Sequence, residues 1–161
     1  MAKIIDSAAE RLEILDHYRR FAMVGLSGNQ YRPSHFAAIY MIAEGYDVIP
    51  VNPRETEILA RKSYPSLTAL AETDPTAIKM VDIFRKPADV PTIVEEAIAL
   101  EAEVIWLQLG VIHEAAAKRA VDAGLNVVMD RCVKIEHARF FGGLNTIGLN
   151  TGVLTSRRYG I

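Results

Sequence analysis

The chain has a single cysteine, Cys132, so no intramolecular disulfide can form and no multi-cysteine zinc or iron-sulfur site can be built. That usage fits a reducing compartment, and the expected location is cytoplasmic. Charge of one sign is also lacking: 18 Lys+Arg against 20 Asp+Glu gives a formal net charge of -2, too little for the long-range field that draws a protein to nucleic acid. No apolar run approaches the roughly 18 residues needed to cross a membrane. Residues 1–20 carry Asp6, Glu10, Arg11, Glu13, Asp16, Arg19 and Arg20, which leaves no apolar stretch for a secretion signal. Neither a nucleic acid nor a membrane is therefore an expected partner. Internal repeats and low-complexity tracts are missing too.

What remains is a chain of 161 residues, half of them hydrophobic, which is the size and composition of one domain with a substantial core. Ser7 and Glu10 have the spacing of a capping box, and the spacing predicts a helix over 7–19 with Ile4, Ala8, Leu12 and Leu15 on its apolar stripe. The run 21–26 reads as a buried strand that enters a turn at Ser27-Gly28-Asn29-Gln30. Pro33 opens a helix with Phe36, Ala37, Ile39, Tyr40 and Ala43 as its apolar positions, closed by Gly45. Further strands are expected at 47–51, 78–84, 104–107 and 126–130, with helices from Pro87 to Leu100 and over 113–123. A short helix at 66–72 belongs to the crossover between strands two and three.

Apolar strands without polar alternation, separated by helices, predict a doubly wound α/β fold with a parallel five-stranded sheet covered on both faces. Right-handed crossovers from a central first strand give an expected order of 3-2-1-4-5. The domain is expected over 1–141, residues 1–20 being its N-terminal helix. Residues 142–161, with Gly142, Gly143, Gly148 and Gly152, read as a glycine-rich tail.

In such a sheet a ligand sits beyond the carboxyl ends of the strands, so function is read from the loops there. The first, from Gly25 through Ser27 to Arg32 and Pro33, lets backbone approach an anion at a helix start, or merely shapes a tight turn. Ser27 stands where the dinucleotide fingerprint G-x-G-x-x-G requires its second glycine, which disfavours NAD. The second, Val51-Asn52-Pro53-Arg54, lacks the acidic residue of an NAD site. Arg54 suits a phosphorylated ribose, as in NADP or coenzyme A, or is a solvated surface residue. The third, Phe84-Arg85-Lys86-Pro87, sets two cations beside an aromatic ring, a group that suits an anion and a flat base or else a core phenylalanine with a charged rim. Gln108 in the fourth is an amide that could orient a ligand or a satisfied buried amide.

His17, His35, His113 and His137 lie in separate segments without metal-ligand spacing and read as helix-surface or capping residues, so no metal site is expected. Paired carboxylates are missing as well, and no catalytic residue is assigned. Cys132 alone has distinctive chemistry: with Arg131 favouring the thiolate, it is the candidate for a mixed disulfide with a thiol ligand, against the ordinary role of a small buried hydrophobe.

The motifs Val24-Gly25-Leu26-Ser27, Ile49-Pro50-Val51-Asn52-Pro53, Val81-Asp82-Ile83-Phe84-Arg85-Lys86-Pro87, Trp106-Leu107-Gln108-Leu109-Gly110 and Val128-Met129-Asp130-Arg131-Cys132 together resemble the small single-domain CoA-binding proteins, relatives of the CoA-binding domain of succinyl-CoA synthetase alpha subunits. The resemblance runs from about residue 13 to about residue 140 and implies a Rossmann-like domain that binds coenzyme A. By it, Gly25, Leu26, Ser27 and Arg32 would hold the phosphates, and Val51, Asn52 and Pro53 the adenosine end. Phe84 and Arg85 would flank the ligand path, and Gln108 and Gly110 would line the pantetheine end. The synthetases need a phosphorylated histidine on a second domain and a partner subunit, for which this chain has no room. The expected function is thus a module that binds CoA or an acyl-CoA as carrier, sensor or accessory, without catalysis by itself. The alternatives are an NADP-dependent oxidoreductase and the CoA-site subunit of a larger acyl-CoA enzyme; assembly into a homo-oligomer is left open.

Overall fold

A computed structural model describes residues 1–74 and 78–141, so the expected glycine-rich tail at 142–161 lies outside the described residues. Among the described residues seven strands and six helices follow one another: α1 (Ala8–His17), β1 (Arg20–Val24), α2 (Pro33–Ala43), β2 (Asp47–Val51), β3 (Glu57–Ile58), β4 (Arg61–Lys62), α3 (Leu67–Thr73), β5 (Met80–Ile83), α4 (Val90–Ala99, entered through a 3-10 turn at Pro87–Asp89), β6 (Val104–Leu107), α5 (Glu114–Asp122), β7 (Asn126–Val128) and α6 (Val133–Phe141).

Five strands form a wholly parallel sheet in the order β2-β1-β5-β6-β7, with β3 and β4 a separate antiparallel hairpin. The doubly wound α/β class is as expected from the sequence, but the order 3-2-1-4-5 is corrected to 2-1-3-4-5 in the same numbering. The cause is Pro50. It has no N–H to give to a neighbour, and its carbonyl, on the strand's outer side, accepts from Tyr64 N (3.0 Å). A strand with a proline facing outward belongs at an edge, so β5 pairs on the other side of β1, where Ala22, Met23 and Val24 oppose Val81, Asp82 and Ile83. Tyr64 bridges the β2 edge and Ile4 bridges Val127 at the β7 edge, so neither rim of the sheet is left bare.

Each strand divides its side chains between two layers. Phe21 and Met23 face α1, α2 and α6 and pack with Leu15, Met41 and Trp106, all fully buried. Ala22 and Val24 face α3, α4 and α5, packing with Leu70, Val94 and Ala117. Both helix faces expected from periodicity are shifted. Ser7 caps α1 as expected, accepting from Glu10 N (3.4 Å), and Leu15 is buried as expected, but its buried companions are Arg11 and Ile14, while Ile4, ahead of the helix, bridges the sheet edge. On α2 the small residues Ala37 and Ala38 meet the sheet with Met41, and Phe36 and Ile39 are exposed. Close helix-to-sheet approach selects the small side chains here over the larger ones.

The last helix is fixed by polar groups. Glu136 is fully buried and accepts from Arg11 Nε on α1 (3.0 Å), with Arg139 at 3.7 Å from its other oxygen. Tyr40 on α2 bonds His137 Nδ1 (2.9 Å). Such a buried pair fixes how α6 seats rather than adding much net stability, because both charges were desolvated to form it. His35 and His137 are thus buried rather than on helix surfaces; His113 caps α5 through Nδ1, which accepts from Ala116 N (3.0 Å).

Candidate functional site

The carboxyl ends of β1, β2 and β5 converge on Gly25. Its N–H donates to Val51 O (2.9 Å), and one residue earlier Val24 O accepts from Phe84 N (2.8 Å). Gly25 has φ +88°, and a Cβ placed there would lie 2.3 Å from Phe84 O, so glycine is the residue that lets the three strand ends close together.

The loop that follows is tied from every side. Ser27 N donates to Ser34 Oγ (3.1 Å), Ser27 O accepts from His35 Nδ1 (2.8 Å), and Asn29 N donates to Ser27 Oγ (3.1 Å). Asn52 links this loop to the one after β2: its Nδ2 donates to Leu26 O (2.9 Å) and to Glu55 (3.2 Å), and its Oδ1 accepts from Arg54 N (2.9 Å). Short polar side chains at strand ends bond neighbouring backbone in this way and hold loops without secondary structure.

Two cavities open along this edge and share Gly25 and Arg85. One of about 490 Å³ is bounded by Ser27, Arg32, Asn52, Arg54 and Phe84 in front of the α2 start. The other, of about 280 Å³, runs between Val51, Pro53, the Pro65-Ser66 turn and α4. Together they make one groove, with Arg32 and Arg54 exposed and in no ion pair among the described residues. Arg85 is paired with Asp89 (2.9 Å).

Nine of the residues singled out from the sequence thus line one groove: Gly25, Ser27, Arg32, Val51, Asn52, Pro53, Arg54, Phe84 and Arg85. Three others do not. The Leu26 side chain is fully buried in the core. Gly110 lies beyond β6, its N–H donating to Asp130 Oδ1 (2.7 Å). Gln108 is 2 % exposed; its Nε2 donates to Asp82 Oδ1 and its Oε1 accepts from Val133 N (3.3 Å), so it is a satisfied buried amide that seats α6. Sequence reasoning missed Glu55 and the Pro65-Ser66 wall. Ser66 did carry a signal as the cap of α3, where it accepts from Ala69 N (3.0 Å).

Below the groove, on β5, Asp82 is completely buried, and burial pushes its carboxyl up to about 8, against the pull of the Gln108 bond. Cys132 immediately precedes α6. Burial pushes its thiol up, and the nearby Asp82 carboxyl adds to that; the Ile135 and Lys134 N–H groups oppose it. The expectation that Arg131 favours a thiolate is corrected: Arg131 Nη1 donates to the Asp130 carbonyl (3.3 Å), and the thiol is held protonated. A thiol-directed disulfide reagent at pH 7.5 is therefore expected to react with native protein at least ~10-fold more slowly than with urea-unfolded protein, the thiolate being the reactive form. Equal rates would refute this environment for Cys132.

An open parallel sheet with a groove at the β1/β5 switch point defines a Rossmann-like domain. Residues 19–138 match the family described as CoA binding domain, and the chain belongs to that family. It is 39% identical over 132 residues to the uncharacterized protein YneT of Bacillus subtilis (strain 168), covering 82% of this chain and 95% of that one. A solved protein of Pyrococcus horikoshii OT3 is 38% identical, with a TM-score of 0.79 over 88% of this chain and 99% of the other. The dinucleotide forming Acetyl-coenzyme A synthetase 1 of Ca. Korarchaeum cryptofilum shares the fold at 18% identity and a TM-score of 0.63, over 74% of this chain and 28% of that one. Among the described residues no helix is long and apolar enough to cross a membrane, and no group of three or more His, Cys, Asp or Glu could hold a metal ion.

Proposed function

We propose that this protein binds coenzyme A or an acyl-CoA and acts as a carrier, sensor or accessory module without chemistry of its own. The observation that carries the reading is the groove that Gly25 shares with Arg32 and Arg54, neither of them in an ion pair among the described residues. Coenzyme A brings a diphosphate and a 3′-phosphate on an adenosine, with a long uncharged arm. Arg32, one residue before the α2 start, suits the diphosphate, where helix N–H groups and the dipole add to the side chain. Arg54, beyond β2, suits the ribose phosphate. The narrower cavity walled by Val51, Pro53 and Pro65 suits a flat base or the arm.

Calorimetric titration with CoA, dephospho-CoA and NADP tests this. CoA is expected to bind most tightly. Arg54→Ala should weaken CoA about 10-fold, roughly 1.4 kcal/mol, and leave dephospho-CoA nearly unchanged, whereas Arg32→Ala should weaken both. Binding of NADP without binding of CoA would overturn the reading in favour of a nicotinamide cofactor.

A further inference from the structure

The geometry points to Glu55 as a built-in anion that occupies the phosphate seat and must be displaced when a ligand phosphate enters. This rests on the groove being an anion site and adds a control on its affinity. Glu55 follows Arg54 in the loop after β2, and its carboxylate reaches across to the Gly25 loop. One oxygen, Oε2, accepts from the Gly28 backbone N–H (2.8 Å) and from Asn52 Nδ2 (3.2 Å). A Cβ on residue 28 would lie 2.1 Å from the other oxygen, so only glycine lets the carboxylate lie flat against the backbone.

Converging N–H donors, one from a strand-to-helix loop and one from the amide of a neighbouring loop, are what a phosphate oxygen uses. Here a carboxylate has them. Among the described residues no cation pairs with Glu55, although it bounds the same cavity as Arg32 and Arg54. A carboxylate placed to form a salt bridge would have a guanidinium against it; among the described residues this one has the Gly28 and Asn52 donors instead. Its negative charge therefore holds the loop through these donors and also repels an incoming anion. Binding exchanges one anion for another, so the net gain in affinity is the difference between them.

Inorganic pyrophosphate and CoA are titrated separately into wild-type protein and Glu55→Gln, which keeps the size and one acceptor oxygen but removes the charge. Both ligands should bind the variant about 10-fold more tightly, the effect of one unit charge across ~6 Å at an effective dielectric of about 40. In the ligand-free protein the Gly28 amide should be protected from hydrogen exchange, and Glu55→Ala should remove that protection with the melting temperature little changed. Weaker or equal pyrophosphate binding by Glu55→Gln, or an unprotected Gly28 amide in the wild type, overturns the proposal. If CoA binds the wild type but Glu55→Gln gains nothing, this proposal fails and the CoA reading stands. If pyrophosphate binding tightens while CoA binds neither protein, the CoA reading fails and the role of Glu55 stands.

Discussion

Gly25→Ala is expected to destabilise the protein by about 3 kcal/mol or more and to abolish ligand binding. Two costs combine at this position. The backbone has φ +88°, where an L side chain is strained by about 1–2 kcal/mol. The new methyl would also lie 2.3 Å from Phe84 O and 2.9 Å from Arg85 Cδ. The arginine can swing away, but the carbonyl belongs to the residue directly after β5, whose N–H is bonded to Val24 O. Relief therefore requires β1 and β5 to part at the centre of the sheet, which also moves Phe84 and Arg85 from the groove. Gly124 supplies the control. Its φ is +96°, yet a Cβ there meets nothing within 4 Å, so Gly124→Ala carries backbone strain alone, about 1 kcal/mol. Urea unfolding of both variants separates the terms. If Gly25→Ala is no less stable than Gly124→Ala, the close approach at Phe84 is not the reason for this glycine.

Asp82→Asn is expected to gain about 3 kcal/mol on the wild type between pH 5 and pH 8. The folded carboxyl is pushed up to about 8 by burial, from a usual value near 4 in the unfolded chain. Between these values the native state holds a proton that the unfolded state has lost. Stability from this group is thus complete below about pH 4 and falls as pH rises, by up to ~1.4 kcal/mol per unit, until the folded carboxyl has ionised near pH 8. Asparagine keeps the shape of the neutral acid and the oxygen that accepts from Gln108 Nε2, without a proton to lose. Its unfolding free energy should follow the wild type's near pH 5 and then decline less steeply. Parallel profiles for the two proteins would mean that Asp82 ionises freely in the folded state. Because Gln108 also accepts from Val133 N, charging Asp82 acts on the α6 start, where the thiol of Cys132 lies.

How far the site could be read from the sequence follows the range of the contacts involved. The loop glycine, the motifs at the strand ends and the arginines were visible because each sits where a strand's apolar run breaks off, a local event. Gln108 was visible as a polar residue after an apolar strand, but not the direction of its amide, which Asp82 and Val133 determine from 26 and 25 residues away. Glu55 gave no signal, since its meaning depends on the Gly28 amide 27 residues earlier. The β3-β4 hairpin was hidden for a different reason: Leu59 and Ala60 take φ 53° and 57° at its turn, positions that ordinarily announce themselves as Asn-Gly. Helix α6 was missed because its buried face holds Glu136, His137 and Arg139 in place of an apolar stripe.

The alternation of apolar runs and helices by itself determined that this chain forms a doubly wound parallel sheet, and five short motifs determined its family. Those signals are local, set by period and by turn chemistry within a few residues. The order of the strands, the face each helix buries and the choice of which polar residues meet the groove were decided only in the tertiary structure. They depend on contacts between distant segments: a proline that must face outward from an edge, alanines that allow a helix to approach the sheet, and a carboxylate that finds its donors on another loop.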